Sequence, residues 1–153
     1  MKTAILISAA LAFGTLLTGR AALSEETSVP EYAARPKLDG REMPFSEAVR
    51  VDRTLYTSGQ IGNLPGTTKL ASGGIAAESR QVMENMKAAL ERQGSSLDKV
   101  VKCTVFLADM KEWPAFNEVY VAYFTKHLPA RSALGANGLA LGARVEMECI
   151  AVV

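Results

Sequence analysis

The residues of this 153-residue chain with the most chemical content lie near its C-terminus. Pro129-Ala130-Arg131-Ser132 puts an arginine at a loop-to-strand junction. The planar guanidinium fork suits bidentate recognition of a carboxylate, and an arginine in a surface ion pair gives the same pattern. Fifteen residues further on, Glu146 and Glu148 alternate with Val145, Met147 and Cys149. A strand period of two puts both glutamates on one face. There a carboxylate can orient water and exchange its proton, or it can partner a basic residue on the sheet. Spacing alone leaves both readings open.

Other chemistries find little support. The single histidine excludes a multi-histidine metal site, and the two cysteines lack the Cys-x-x-Cys or Cys/His spacing of a zinc site. His127 falls just past a predicted helix, where an imidazolium favours the helix C-terminus. Gly73-Gly74 opens a helix without the Lys-Ser/Thr of a phosphate-cradling loop. Ser58 lacks the Gly-x-Ser-x-Gly frame of a nucleophile elbow. No multi-histidine or zinc-type metal site is expected.

Several elements must position these residues. Ala48–Val51 and Thr54–Gly59 read as two strands joined at Asp52-Arg53, and the glycines and proline of 62–74 mark a loop. Residues 75–93 read as an amphipathic helix with Val82, Met83, Met86 and Leu90 on one face and Gly94 beyond its end. Residues 100–107 alternate as a strand. Phe116, Val119, Tyr120, Tyr123 and Phe124 form the stripe of a second helix, and residues 131–134 and 145–153 read as strands around a glycine-rich connection. The expected fold is α+β, with two helices covering one sheet face and the other face left for self-association. Cys103 and Cys149 alternate with apolar residues, and both are expected to be buried and reduced.

The N-terminus is separate. Lys2 precedes an apolar or small-residue run from Ala4 to Leu17, too short to span a bilayer comfortably but suited to a secretory signal. Gly19 and Ala21 fit cleavage after Ala21, Ala22 and Ser24 offer a second site, and Arg20 stands where a lipoprotein would have cysteine. The expected organisation is a signal peptide at 1–21, an extended leader at 22–43 and a domain at 44–153. The protein would then be exported, periplasmic or secreted, with no stable membrane insertion after cleavage. Removing Lys2 and Arg20 leaves a net charge of −1 in place of +1, which disfavours nucleic-acid binding.

Residues 44–153 resemble the RidA family (also YjgF/YER057c/UK114, or "endoribonuclease L-PSP"). The matching pieces, in family order, are Pro44-Phe45-Ser46, Leu55–Ile61, Val101–Leu107, Phe116–Tyr120, Pro129–Ser132 and Val145–Val152. The resemblance implies a chorismate-mutase-like α+β fold and a homotrimer with clefts between neighbouring subunits. It also implies hydrolysis of reactive 2-imino or enamino acids, of the 2-iminobutanoate and 2-iminopropanoate type, to 2-keto acids and ammonia without a cofactor. Within it, Arg131 would clamp the substrate carboxylate and Glu146 would orient the attacking water. Phe45, Ser58, Gly59, Gln60, Asn117 and Tyr120 would shape the cleft. Phe45 replaces a tyrosine frequent in active members, Ala133 an occasional cysteine, and the 125–129 loop is shorter. The alternative is a non-catalytic trimeric small-ligand binder or stress-type holdase of the same fold.

Overall fold

The computed structural model describes residues 28–153; the signal segment expected at 1–21 lies outside the described residues. The strands are β1 (Glu31–Ala34), β2 (Ser46–Val51), β3 (Thr54–Thr57), β4 (Gln60–Ile61), β5 (Val100–Leu107), β6 (Ala130–Gly135) and β7 (Val145–Val152), and the helices α1 (Gly74–Arg92) and α2 (Trp113–Tyr123). They form one sheet in the order β1-β2-β3-β7-β5-β6, with the two-residue β4 also pairing β7. Only β5 and β6 run parallel, and α2 makes the crossover between them that a parallel pair requires.

The period of β7 fixes the layers. Val145, Met147, Cys149 and Ala151 are buried beneath the helices, while Glu146, Glu148, Ile150 and Val152 point to the other side. The α1 stripe Val82, Met83, Met86 and Leu90 is wholly buried against that inner face. Pro114 sits in the first turn of α2, where its missing N–H costs nothing. Asp39 and Thr68 tie the leader to the 62–74 loop. Glu78 of α1 accepts the Arg144 backbone N–H at 2.8 Å, fixing the entry to β7. No element covers the outer face among the described residues, so Tyr56 is 47% and Leu134 44% exposed.

Two elements differ from the sequence expectation. The leader, expected only as an extended segment, contributes a strand: Glu31–Ala34 pairs antiparallel with β2 at the sheet edge. Glu-Tyr-Ala-Ala has no alternation to announce a strand; its partner supplies the order. β4 is too short for any periodic signal and exists because β7 extends past the end of β3.

The cysteines require a correction. Both are buried as expected, but they are joined in a disulfide rather than reduced. The reason is register: β5 and β7 place Cys103 directly opposite Cys149 on the inner face. Alternation predicts which way each cysteine points, not which residue it meets. The denatured, unreduced protein should therefore show no free thiol by Ellman titration. Crosslinking residues 46 apart should stabilise by roughly 2–4 kcal/mol. Reduction should then lower the urea midpoint, and an unchanged midpoint with two titrated thiols would contradict the crosslink.

Candidate active site

Sheet parity divides the predicted site residues into two groups. Glu146 pairs with Phe106 and points outward. Arg131 pairs with Cys103, an inward residue, and so belongs to the helix side. Its guanidinium lies over the Tyr120 ring at 4.5 Å and the Phe116 ring at 5.8 Å. One protomer therefore does not bring Arg131 and Glu146 together.

The first group surrounds Glu146. The β3–β4 connection runs across it so closely that a Cβ on Gly59 would fall 1.9 Å from Glu146 Oε1 and 2.8 Å from Cδ. A side chain there fits only if the Glu146 carboxylate moves aside. Ser58 Oγ donates to the Ser46 carbonyl at 2.7 Å, so its hydroxyl braces the backbone. Gln60 is almost fully buried and donates to the Ser58 carbonyl at 3.2 Å, which supports the turn. Phe45 is about half exposed at the rim. Burial pushes the Glu146 carboxyl above the usual carboxylate range, and Glu148 adds to the effect; Arg35 opposes both.

Arg35, just beyond β1, is the member that sequence reading missed. Its guanidinium donates to Gln60 Oε1 at 3.1 Å and to the Gly59 carbonyl at 3.4 Å, and it lies 5.3 Å from the Phe45 ring centroid. Nothing in the spacing of the leader connects residue 35 to residues 59 and 60; the β1–β2 pairing does. A cavity of about 320 Å³ between the leader and α1 is lined by Arg35, Gln60 and Arg92, but by neither Arg131 nor Glu146. The ion pair in that cavity, Arg92–Glu47, is already closed.

The second group is on α2 and β6. Tyr120 is buried, with no hydrogen-bond partner for its hydroxyl among the described residues. Burial pushes that hydroxyl's pKa up, against the nearby Arg131 cation. Asn117 Oδ1 accepts from Trp113 Nε1 at 3.1 Å, one turn back on the same helix. Arg131 makes none of the ion pairs found among the described residues, which leaves its fork available to an incoming carboxylate. His127 is exposed, four residues past the end of α2, and belongs to neither group. No cluster of metal-ligating side chains occurs among the described residues.

The family profile described as "Endoribonuclease L-PSP" matches residues 39–153. The chain belongs to the endoribonuclease L-PSP family, the RidA/YjgF group. Among its relatives, the human protein named 2-iminobutanoate/2-iminopropanoate deaminase is 44% identical over 116 residues, covering 76% of this chain and 85% of the human one. A putative endoribonuclease L-PSP from Entamoeba histolytica superposes with a TM-score of 0.75 at 42% identity, over 82% of this chain and all of that one. RidA from an Antarctic Psychrobacter gives 0.70 at 38% identity, over 84% and 99%. The mixed sheet with two helices on one side is thus the RidA fold.

The two glycines of the β4 region should respond differently to alanine. Gly59→Ala meets a side-chain carboxylate, which can swing aside. It should leave the melting temperature nearly unchanged while shifting the Glu146 carboxyl resonance. Gly62→Ala meets the Glu78 backbone Cα at 2.8 Å and should cost about 1–3 kcal/mol, as overpacking does. Equal melting losses in both variants, with an unmoved Glu146 signal, would refute the packing described.

Proposed function

We propose that the protein is a hydrolytic deaminase of small 2-imino acids and their enamino tautomers, releasing a 2-keto acid and ammonia. One observation carries the reading: the chain is 44% identical over 116 residues to a protein named for that reaction; the family resemblance gives the two chemical roles to Arg131 and Glu146. Arg131 holds the substrate carboxylate in a bidentate pair. Glu146 orients a water and accepts its proton as the oxygen bonds to C2 of the imine. That proton passes to nitrogen to give a carbinolamine; the new hydroxyl then loses the second proton, which also reaches nitrogen, and the C–N bond breaks so that ammonia leaves as the C=O bond forms. The carbon is already electrophilic, so proximity supplies much of the acceleration, and a carboxylate with a raised pKa suits proton exchange near neutrality.

The opposite orientation of Arg131 and Glu146 supports a site completed by a second copy. The uncovered outer face, with Tyr56, Leu134, Ile150 and Val152, supports the homotrimer that the family resemblance implies. The partner is then a small 2-imino or 2-keto acid, and the near-neutral charge disfavours nucleic acid despite the family's older name. Export to the periplasm or medium is supported by Lys2 and the apolar run at 4–17, and the disulfide suits an oxidising compartment. Among the described residues no helix is long and apolar enough to cross a membrane. A second reading, ligand binding without turnover, is favoured by Phe45, which lacks the tyrosine hydroxyl.

The test generates 2-iminobutanoate in situ and follows its loss against semicarbazide trapping. Wild type should accelerate hydrolysis. Glu146→Gln should lower kcat about 10²–10⁴-fold, and Arg131→Ala should abolish saturation while sedimentation still gives the assembled mass. Glu146 must be charged to accept the proton, so the rate should fall on the acid side through a pKa above the ordinary carboxylate range. No acceleration by wild type, with 2-oxobutanoate still bound, would replace the enzyme by the binder. A monomer mass for a fully active sample would overturn the shared site.

A further inference from the structure

We propose that Arg35 is a positioning residue for Glu146: it ties the leader strand to the Gly59-Gln60 turn on which the Glu146 carboxylate rests, and it sets a guanidinium beside that carboxylate. The inference rests on the proposed role of Glu146 as the water-orienting group, and it gives the leader a part in the reaction.

An arginine that merely pinned the leader would be expected to close on a carboxylate. Arg35 does not, since the ion pairs within 4.0 Å among the described residues leave it out. It bonds two neutral oxygens instead, Gly59 O and Gln60 Oε1, and rests against the Phe45 ring. Burial disfavours its charge, and Glu47 and Glu146 are the carboxylates that offset this, with Arg92 acting against. Glu47 is already forked by Arg92, whose Nε reaches Oε2 at 2.9 Å. Glu146 is therefore the acid near Arg35 with no cation of its own.

The view from Glu146 agrees. On its own strand Glu148 shares its face and repels it. From β4 and the preceding turn it meets Gly59, Gln60 and Ile61; from β5 its face neighbours are Phe106 and Thr104, none of them charged. Lys102, further along β5, is bonded to Ser132 Oγ. Arg35 is the cation acting on Glu146 among the described residues. Both effects converge on one atom set, because Gly59 carries the carbonyl that Arg35 holds and the Cα that the Glu146 carboxylate covers.

The experiment compares wild type with Arg35→Met, which keeps the apolar stem, and Arg35→Lys, which keeps the charge but loses the fork. Two readouts are taken: the pH profile of imine hydrolysis, and the ¹³C titration of the Glu146 carboxyl, assigned by its loss in Glu146→Gln. In Arg35→Met both midpoints should move to higher pH, because the cation that favours the carboxylate is gone. At neutral pH kcat should fall more than KM changes. Arg35→Lys should return the midpoints toward wild type while kcat stays reduced, because the Gly59 and Gln60 bonds are not rebuilt. Wild-type midpoints in Arg35→Met, with native melting, would overturn the proposal. If Arg35→Met fails to fold, a lysine variant with wild-type kcat and midpoints would overturn it alone. Should wild type show no deaminase activity, the proposed function fails, and the carboxyl titration still decides the pairing of Arg35 with Glu146.

Discussion

Everything in this molecule hangs on the two-residue period of β7. It is the strand that pairs with β3, β4 and β5 at once, and its alternate side chains go to different solvents. Burying Val145, Met147, Cys149 and Ala151 beneath α1 and α2 removes four apolar side chains from water, at about 25 cal/mol per Å² of apolar surface. The same alternation obliges Glu146 and Glu148 to face outward. The candidate carboxylate is thus placed by the core's demand on its neighbours, and its raised proton affinity comes first from burial and then from Glu148.

Arg131 obeys the same rule with the opposite result. Its neighbour across the ladder is an inward residue of β5, so it lies with α2 and is held over two aromatic rings. Such a cation is aimed by stacking without being neutralised. A protomer therefore carries Arg131 on the helix side of its sheet and Glu146 on the other, and the proposed assembly is what would bring the two together.

The sequence made part of this legible, and the boundary is physical. β5, β7 and both helices were readable because burial imposes a strict period on eight or more residues. Arg131 and Glu146 stood out through their motifs and family resemblance. Facts of pairing were not readable: that Cys103 meets Cys149, that Arg131 follows the parity of β5, that Arg35 reaches the Gly59-Gln60 turn across more than twenty residues. Each depends on which strand lies next to which, and β1 and β4 are too short to declare themselves. The partners of Ser58 and Gln60 were not readable either: both donate to backbone carbonyls, and Gln60 Oε1 accepts from Arg35.

The crosslink between β5 and β7 has a bearing on specificity of fold. A strand that slips by one residue against its neighbour exchanges its two faces entirely. For β7 that slip would drive Glu146 and Glu148 under the helices and turn Met147 and Ala151 to water. Cys103 and Cys149 are directly opposed in the inward row, so their bond can be made only when the parity of the two strands is right. The bond is thus compatible only with the pairing that leaves both glutamates on the outer face.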